Sequence, residues 1–194
     1  MRKLFLLLLI ALFSFSSLQA GDIWKIDAVH SNVNFTVSHL VISEVDGKFN
    51  VYNGSIASES DDFNNAQISF EIDASSVDTD NERRDGHLNS EDFFYTEKFP
   101  LIKFNSTRFT KVDANKYLLE GDLTMRGVTK NVTLDVKYGG TVVDGYGNTK
   151  AGFIVNGILN RMDYGIAWNA KTEHGTWTVG EDVTITVKLQ FVKQ

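Results

Sequence analysis

The side chains best suited to chemistry fall in two short stretches. Arg83, Arg84, Asp85 and His87 stand together in the first, and Asn160 and Arg161 adjoin in the second. Guanidinium and imidazole groups at neighbouring helical positions are donors suited to a pyrophosphate or a quinone carbonyl. The same spacing equally describes a solvated helix face with Asp80 and Arg84 paired at i, i+4, worth about 0.3 kcal/mol. The four histidines do not read as a metal site. His30 and His39 are nine residues apart, an odd spacing that turns them to opposite faces of a regular strand. No HExxH motif or compact His/Cys cluster occurs, and no metal is expected. A chain without cysteine has no thiolate nucleophile and no disulfide framework. GxSxG, GxGxxG and P-loop spacings are missing too, and Asp61-Asp62 read as solvation in a polar stretch. No residue is assigned a catalytic role.

Composition limits the scaffold that must hold these groups. The chain has 194 residues, net charge −6, 42% hydrophobic residues and 14 Phe, enough for one folded domain with a core. Nucleic acid is not an expected partner, because no basic excess is available to neutralise phosphates. Arg2 and Lys3 precede an apolar run over 4–13 and a Ser-rich stretch ending in Leu18-Gln19-Ala20. This is the layout of a secretory signal peptide, too short for a spanning helix of about 20 residues. Cleavage after Ala20 is expected, giving a signal peptide over 1–20 and a domain over 21–194 without an integral membrane helix. An exported, cysteine-free domain is expected to be periplasmic.

Beyond the leader the dominant period is two. Val33, Phe35 and Val37 alternate with polar neighbours, as do Ile68, Phe70 and Ile72, and Val183 through Phe191. Such alternation marks strands with one apolar face. Eight are expected, over 31–39, 44–56, 66–73, 101–110, 116–125, 129–138, 149–160 and 182–192. Two connections are long. Residues 74–100 hold the only plausible helix, near 80–88, with Thr79 or Asp80 as its cap, and residues 161–181 form the other. Eight antiparallel strands remove their edges by closing into a barrel, wide enough for one small ligand. In an up-and-down barrel both long connections leave at the same mouth. That mouth would gather His39, Arg83, Arg84, His87, Arg126, Arg161 and His174. The inward face would carry Phe35, Val37, Phe49, Val51, Phe70, Ile72, Phe104, Leu119, Leu123, Val132, Leu134, Phe153, Val155, Ile185 and Val187. Periodicity alone leaves open whether these fill a core or line a bore.

Several segments resemble one family in order along the chain. They are Trp24 through Phe35, Arg84-Asp85-Gly86-His87-Leu88 with Asp92-Phe93-Phe94, and Phe99-Pro100 to Phe104. Gly121 through Thr129, Asn160 through Gly165 and Val179 through Val183 complete the set, while the Ser-, Asp- and Asn-rich stretch 57–65 has no counterpart. The chain is similar in these to the YceI-like family of periplasmic, lipocalin-like barrels that bind polyisoprenoid lipids. The resemblance implies an all-β, eight-stranded antiparallel barrel with one short helix, whose bore holds a long isoprenoid tail. Phe35, Val37, Phe49, Phe70, Ile72, Phe104, Leu119, Leu123, Val132, Leu134, Phe153, Val155 and Ile185 would touch that tail. Arg84, Asp85, His87, Asn160 and Arg161 would meet the head group.

The expected function is that of a non-enzymatic binding or transport protein. Its ligand would be an isoprenoid or similar amphiphilic lipid, of isoprenoid quinone or polyprenyl phosphate type, with no other cofactor. Nothing in the sequence fixes the oligomeric state, a dimer being one compatible form. An enzyme acting on such a lipid, with His87, Arg84 or Asp85 at the mouth, is the alternative, separated by turnover beyond one equivalent. An outer-membrane barrel would also alternate, but its outward faces would be apolar rather than charged and Asn-rich.

Overall fold

Alternating apolar and polar residues build one closed antiparallel barrel of eight staves. The computed structural model describes residues 21–194, so the expected leader lies outside the described residues. β1 (Asp22–Ile26) and β2 (Asn32–His39) share the first stave, and β3 (Ser43–Phe49) and β4 (Tyr52–Ser58) the second. β5 (Gln67–Asp73) and the short β6 (Val77–Asp78) form the third. The other five are β7 (Leu101–Asp113), β8 (Lys116–Met125), β9 (Val128–Val143), β10 (Thr149–Asn160) and β11 (Val179–Lys193). β11 closes the barrel by pairing with β10 on one side and with both β1 and β2 on the other.

The eight expected strands are present, and the first stave starts earlier, at Asp22. Val51 is a correction. It is 57% exposed, because the chain slips by one residue between β3 and β4. Phe49 pairs with Val77 and Tyr52 with Ile72, so the inward face passes from odd to even numbers at this bend. α1 (Glu82–Asn89) is the expected helix, but its cap is neither Thr79 nor Asp80. Asn81 fills that position, its side chain accepting the Arg84 N–H at 3.0 Å. Thr79 donates its hydroxyl to Asp85, and Asp80 occupies a left-handed turn at φ 58°.

Three bore phenylalanines lie flat against glycines of neighbouring strands. A Cβ at Gly47, Gly54 or Gly121 would meet the ring of Phe35, Phe70 or Phe104 at 2.2 to 2.4 Å. Each glycine lets a ring lie along the sheet instead of projecting across the barrel.

The end away from α1 is plugged by aromatic side chains. Phe63 stands against Trp24, Tyr138 and Phe153 at centroid distances of 5.1, 5.6 and 5.2 Å. Phe109, Tyr117 and Phe191 extend the cluster. The polar stretch around Phe63 is therefore not merely solvated. It folds across the barrel end, with Asn65 N–H donating to Phe109 O and the Tyr117 hydroxyl to Asp62 O. Phe63 is 1% exposed, so Phe63→Ala should cost about 3–5 kcal/mol in urea unfolding, and Phe63→Leu clearly less. A loss below about 1 kcal/mol for Phe63→Ala would mean the plug carries no stability.

Candidate functional site

The odd-numbered connections between the eight staves share one end, which brings the two long loops to one mouth. The Arg126 guanidinium donates to Gly165 O in one loop and to Glu91 O in the other, tying the β8–β9 turn to both. His87 and Phe93 of the first loop pack on Trp168 of the second, at 4.9 and 5.3 Å between centroids. The β2–β3 turn joins them through Leu40 N–H to Thr178 O. All four connections thus meet, as the topology requires.

Arg161 is the buried hub of this mouth. It is 5% exposed, and its guanidinium donates to Gly180 O, Ile166 O, Trp168 O and Val179 O. Burial pushes its pKa down from the usual arginine value, while the nearby Glu181 charge opposes that shift. Its donors hold the loop 161–178 in place. Asn160, adjacent, caps the turn Arg161–Tyr164 by accepting the Met162 N–H at 2.9 Å. Arg84 and Asp85 both grip Thr79. Arg84 Nε and Nη2 donate to its hydroxyl and carbonyl at 2.7 Å, and Asp85 accepts its N–H at 2.9 Å. His87 Nε2 faces Asp92 at 2.9 Å. Asp78, which opens this loop, has its carboxyl held down at about 2 by the Asp80 N–H, the Asn50 amide and Lys48.

Three cavities run inward from the mouth. The outermost, about 440 Å³, is lined by Arg83, Arg84, His87, His39, Phe93 and Trp168 among others. A neck of about 120 Å³ follows and shares Phe35, Val37, Leu88, Phe93 and Val179 with it. The bore beyond, about 140 Å³, shares Phe35, Phe49, Met125, Leu159 and Ile185 with the neck. Asn34 is the one polar residue of the bore lining.

The expected tail residues divide by depth. Phe35, Phe49, Phe70, Ile72, Phe104, Leu119, Leu123, Leu134, Val155 and Ile185 line the bore, and Val37 lines the mouth and neck. Val132 packs on the core without lining a cavity described above. Phe153 is a correction: its parity is inward, but it stands beyond the bore in the aromatic plug. Of the expected mouth cluster, His39, Arg83, Arg84 and His87 line the outer cavity, whereas His174 is exposed outside its lining. Ile68 and Met125 were legible from the alternation of their strands. Trp168 and Tyr164 were not, since their loop has no period to place them.

The YceI-like domain matches residues 24–191 of the chain. The chain belongs to the YceI-like family. A UPF0312 protein of Staphylococcus aureus (strain N315) is 36% identical over 166 residues, 85% of this chain and 94% of that protein. The crystal structure of the Campylobacter jejuni YceI protein is 30% identical with a TM-score of 0.71, covering 81% of this chain and 90% of that one. A polyisoprenoid binding domain from Saccharophagus degradans has a TM-score of 0.65 at 15% identity, covering 91% and 100%. At that identity the likeness shows the fold. This YceI-like barrel has no helix, among the described residues, long and apolar enough to cross a membrane.

Two outcomes follow from the mouth. Arg161→Lys should lose about 3 kcal/mol or more in urea unfolding, because an ammonium cannot serve four carbonyls in the guanidinium's geometry. A change within about 0.5 kcal/mol would remove Arg161 from its structural role. Asp78 has a folded pKa below its unfolded one, so its stabilisation is complete above about pH 4 and fades as pH falls toward 2. Asp78→Asn should flatten the stability profile across that window, and an unchanged profile would count against the hydrogen bonds described.

Proposed function

We propose that this YceI-like protein is a non-enzymatic binding protein that carries a long-chain, isoprenoid-type amphiphile in its barrel. The observation that carries this reading is the succession of three cavities with shared walls, from a mouth with polar residues through the neck to an almost wholly apolar bore. An apolar tail gains about 0.8 kcal/mol for each CH₂ removed from water. Ordering and association costs then take back several kcal/mol. The named ligand class of the Saccharophagus degradans domain supports the same choice. Neck and bore are each smaller than the roughly 300–1,000 Å³ of typical ligand sites. Binding a long tail therefore requires the flat-lying phenylalanines to shift.

Head-group recognition falls to the outer cavity. His39 and Arg83 line it with side chains free of ion pairs among the described residues, and Arg84 and His87 lie beside them. The leader layout of residues 1–20 supports export to the periplasm. N-terminal sequencing of the protein from a periplasmic fraction tests that, and a sequence beginning at Met1 would overturn it. The His87–Asp92 pair at the mouth is the one observation favouring an enzyme on the same lipid. Product in excess of one equivalent of protein would establish it.

Lipid extraction and native mass spectrometry of gently purified protein test the carrier reading. A bound isoprenoid-type lipid is expected at up to one per chain. Phe104→Glu and Phe70→Glu should abolish its recovery, while Phe104→Leu should keep most of it, because the lining stays apolar. Unchanged recovery from both folded charge variants would make the bore a packed core and end the reading.

A further inference from the structure

We propose that a trough on the outer wall of the barrel, across β9, β10 and β11, is a second binding site, holding a phosphate group between Lys137 and Lys188. It is separate from the bore and does not rest on the binding reading above. The cavity measures about 590 Å³, within the range of about 300–1,000 Å³ typical of ligand sites. Strand register explains its shape. Ala151, Phe153 and Val155 of β10 are buried, so Lys150, Gly152 and Ile154 turn outward. Ile154 stands between Lys137 and Lys188, Gly152 between Gly140 and Gln190, and Lys150 opposite Val142. A row with two glycines thus lies between two rows of longer side chains.

The floor of the trough is bare where the fold does not need it to be. Gly140 has φ 110°, a backbone value that favours glycine. Gly152 has no such constraint: its φ lies outside that region, and an added Cβ would meet nothing within 4 Å. The bulge beside it comes from the extra residue Gly139 of β9, since Gly152 pairs with Gly140 and Phe153 with Tyr138. Glycine inside a strand gives up stability, and it marks places where another group approaches the backbone closely. At Gly152 no atom of the described residues makes that approach.

Charge supplies the second argument. Lys48, Lys103, Lys111, Lys150 and Lys193 each reach a carboxylate within 3.5 Å. Lys137 and Lys188 reach none within 4.0 Å among the described residues, and neither does Lys116, directly opposite Lys137 on β8. Like charges facing each other on paired strands are destabilising, and an anion laid over them removes that cost. The carboxylates beside the trough are already taken, Asp27 by Lys150 and His30, and Asp144 by Lys150. Asp135 lies one row nearer the mouth, outside the lining. Lys137 and Lys188 are two strand spacings apart, about 10 Å, so their flexible stems can close on one anion from both sides. Asn115 and Gln190 line the trough and add amide donors. Two free ammonium groups match the double charge of a phosphate monoester better than the single charge of a carboxylate.

The test offers the same monoester in two forms, as glycerol 3-phosphate read by calorimetry and as phosphatidic acid in phosphatidylcholine vesicles read by flotation. Binding of glycerol 3-phosphate assigns the site to a soluble phosphate, and flotation with phosphatidic acid alone assigns it to a lipid head. With either probe, Lys137→Gln and Lys188→Gln should each weaken binding about 3- to 5-fold, the range of an exposed ion pair. Lys103→Gln, on β7 and outside the trough, should leave it unchanged. Gly152→Val should fill the floor and weaken binding as strongly, while melting at the same or a higher temperature. A wild type that binds neither probe, or binding that survives both lysine substitutions or falls equally with Lys103→Gln, would overturn the proposal. So would a folded Gly152→Val variant that binds as the wild type does.

Discussion

The closure of the sheet along β11 is the constraint from which the other features descend. That strand hydrogen-bonds to β10 on one flank and, by way of Phe191 and Val187, to β1 and β2 on the other. Once the sheet is closed it has no free edge through most of its length, and every stave has a defined inside. The period-two alternation then determines which side chains meet in the bore. Closure also fixes parity, so the two long loops share a mouth and can be tied by Arg126. Without the β11 ladders these loops would have no common frame.

A closed apolar interior can be either filled or left open, and the glycines bear on which. Phenylalanine rings projecting straight inward from β2, β5 and β7 would crowd the axis. Over Gly47, Gly54 and Gly121 the rings of Phe35, Phe70 and Phe104 lie against the sheet instead. The bore between them stays small and shares Phe35, Phe49, Met125, Leu159 and Ile185 with the neck. The far end takes the opposite course. There Phe63, Phe109, Tyr117, Phe153 and Phe191 fill the barrel with edge-on and stacked contacts. One barrel therefore has a dense end that supplies stability and a loose end able to admit a guest.

Much of this is legible in the amino-acid sequence. The strands, the helix, the shared mouth and most of the bore follow from alternation and connection parity. The failures have local causes. Val51 was misread because the slip between β3 and β4 inverts the pattern without a marking glycine or proline. Phe153 was misread because alternation reports which face a residue takes, not how deep it stands. Phe63 was hidden among Ser, Asp and Asn residues, whose polarity describes the outside of that loop and not its one anchor. Arg161 was the hardest to read. A sequence shows an arginine, but its partners here are carbonyls of Ile166, Trp168, Val179 and Gly180, which carry no sequence signal at all.

That last case bears on how recognition is divided at the mouth. A guanidinium engaged by four carbonyls still carries its charge, but it has little left to offer a ligand. Arg84 and Asp85 are similarly occupied by Thr79, and Arg126 by Gly165 and Glu91. The basic groups that crowd the mouth in the sequence are therefore mostly the means by which irregular backbone is satisfied away from water. Long loops over an apolar cavity need such donors, because no strand partner is available to them. Polarity that serves the loops cannot also serve a head group, so on the binding reading selection would pass to the rim, where Arg83 and His39 make no ion pair among the described residues. Charge at the rim would favour arrival of an amphiphile, while the neck below offers its tail an apolar surface, because the Arg161 guanidinium there is already occupied by backbone carbonyls.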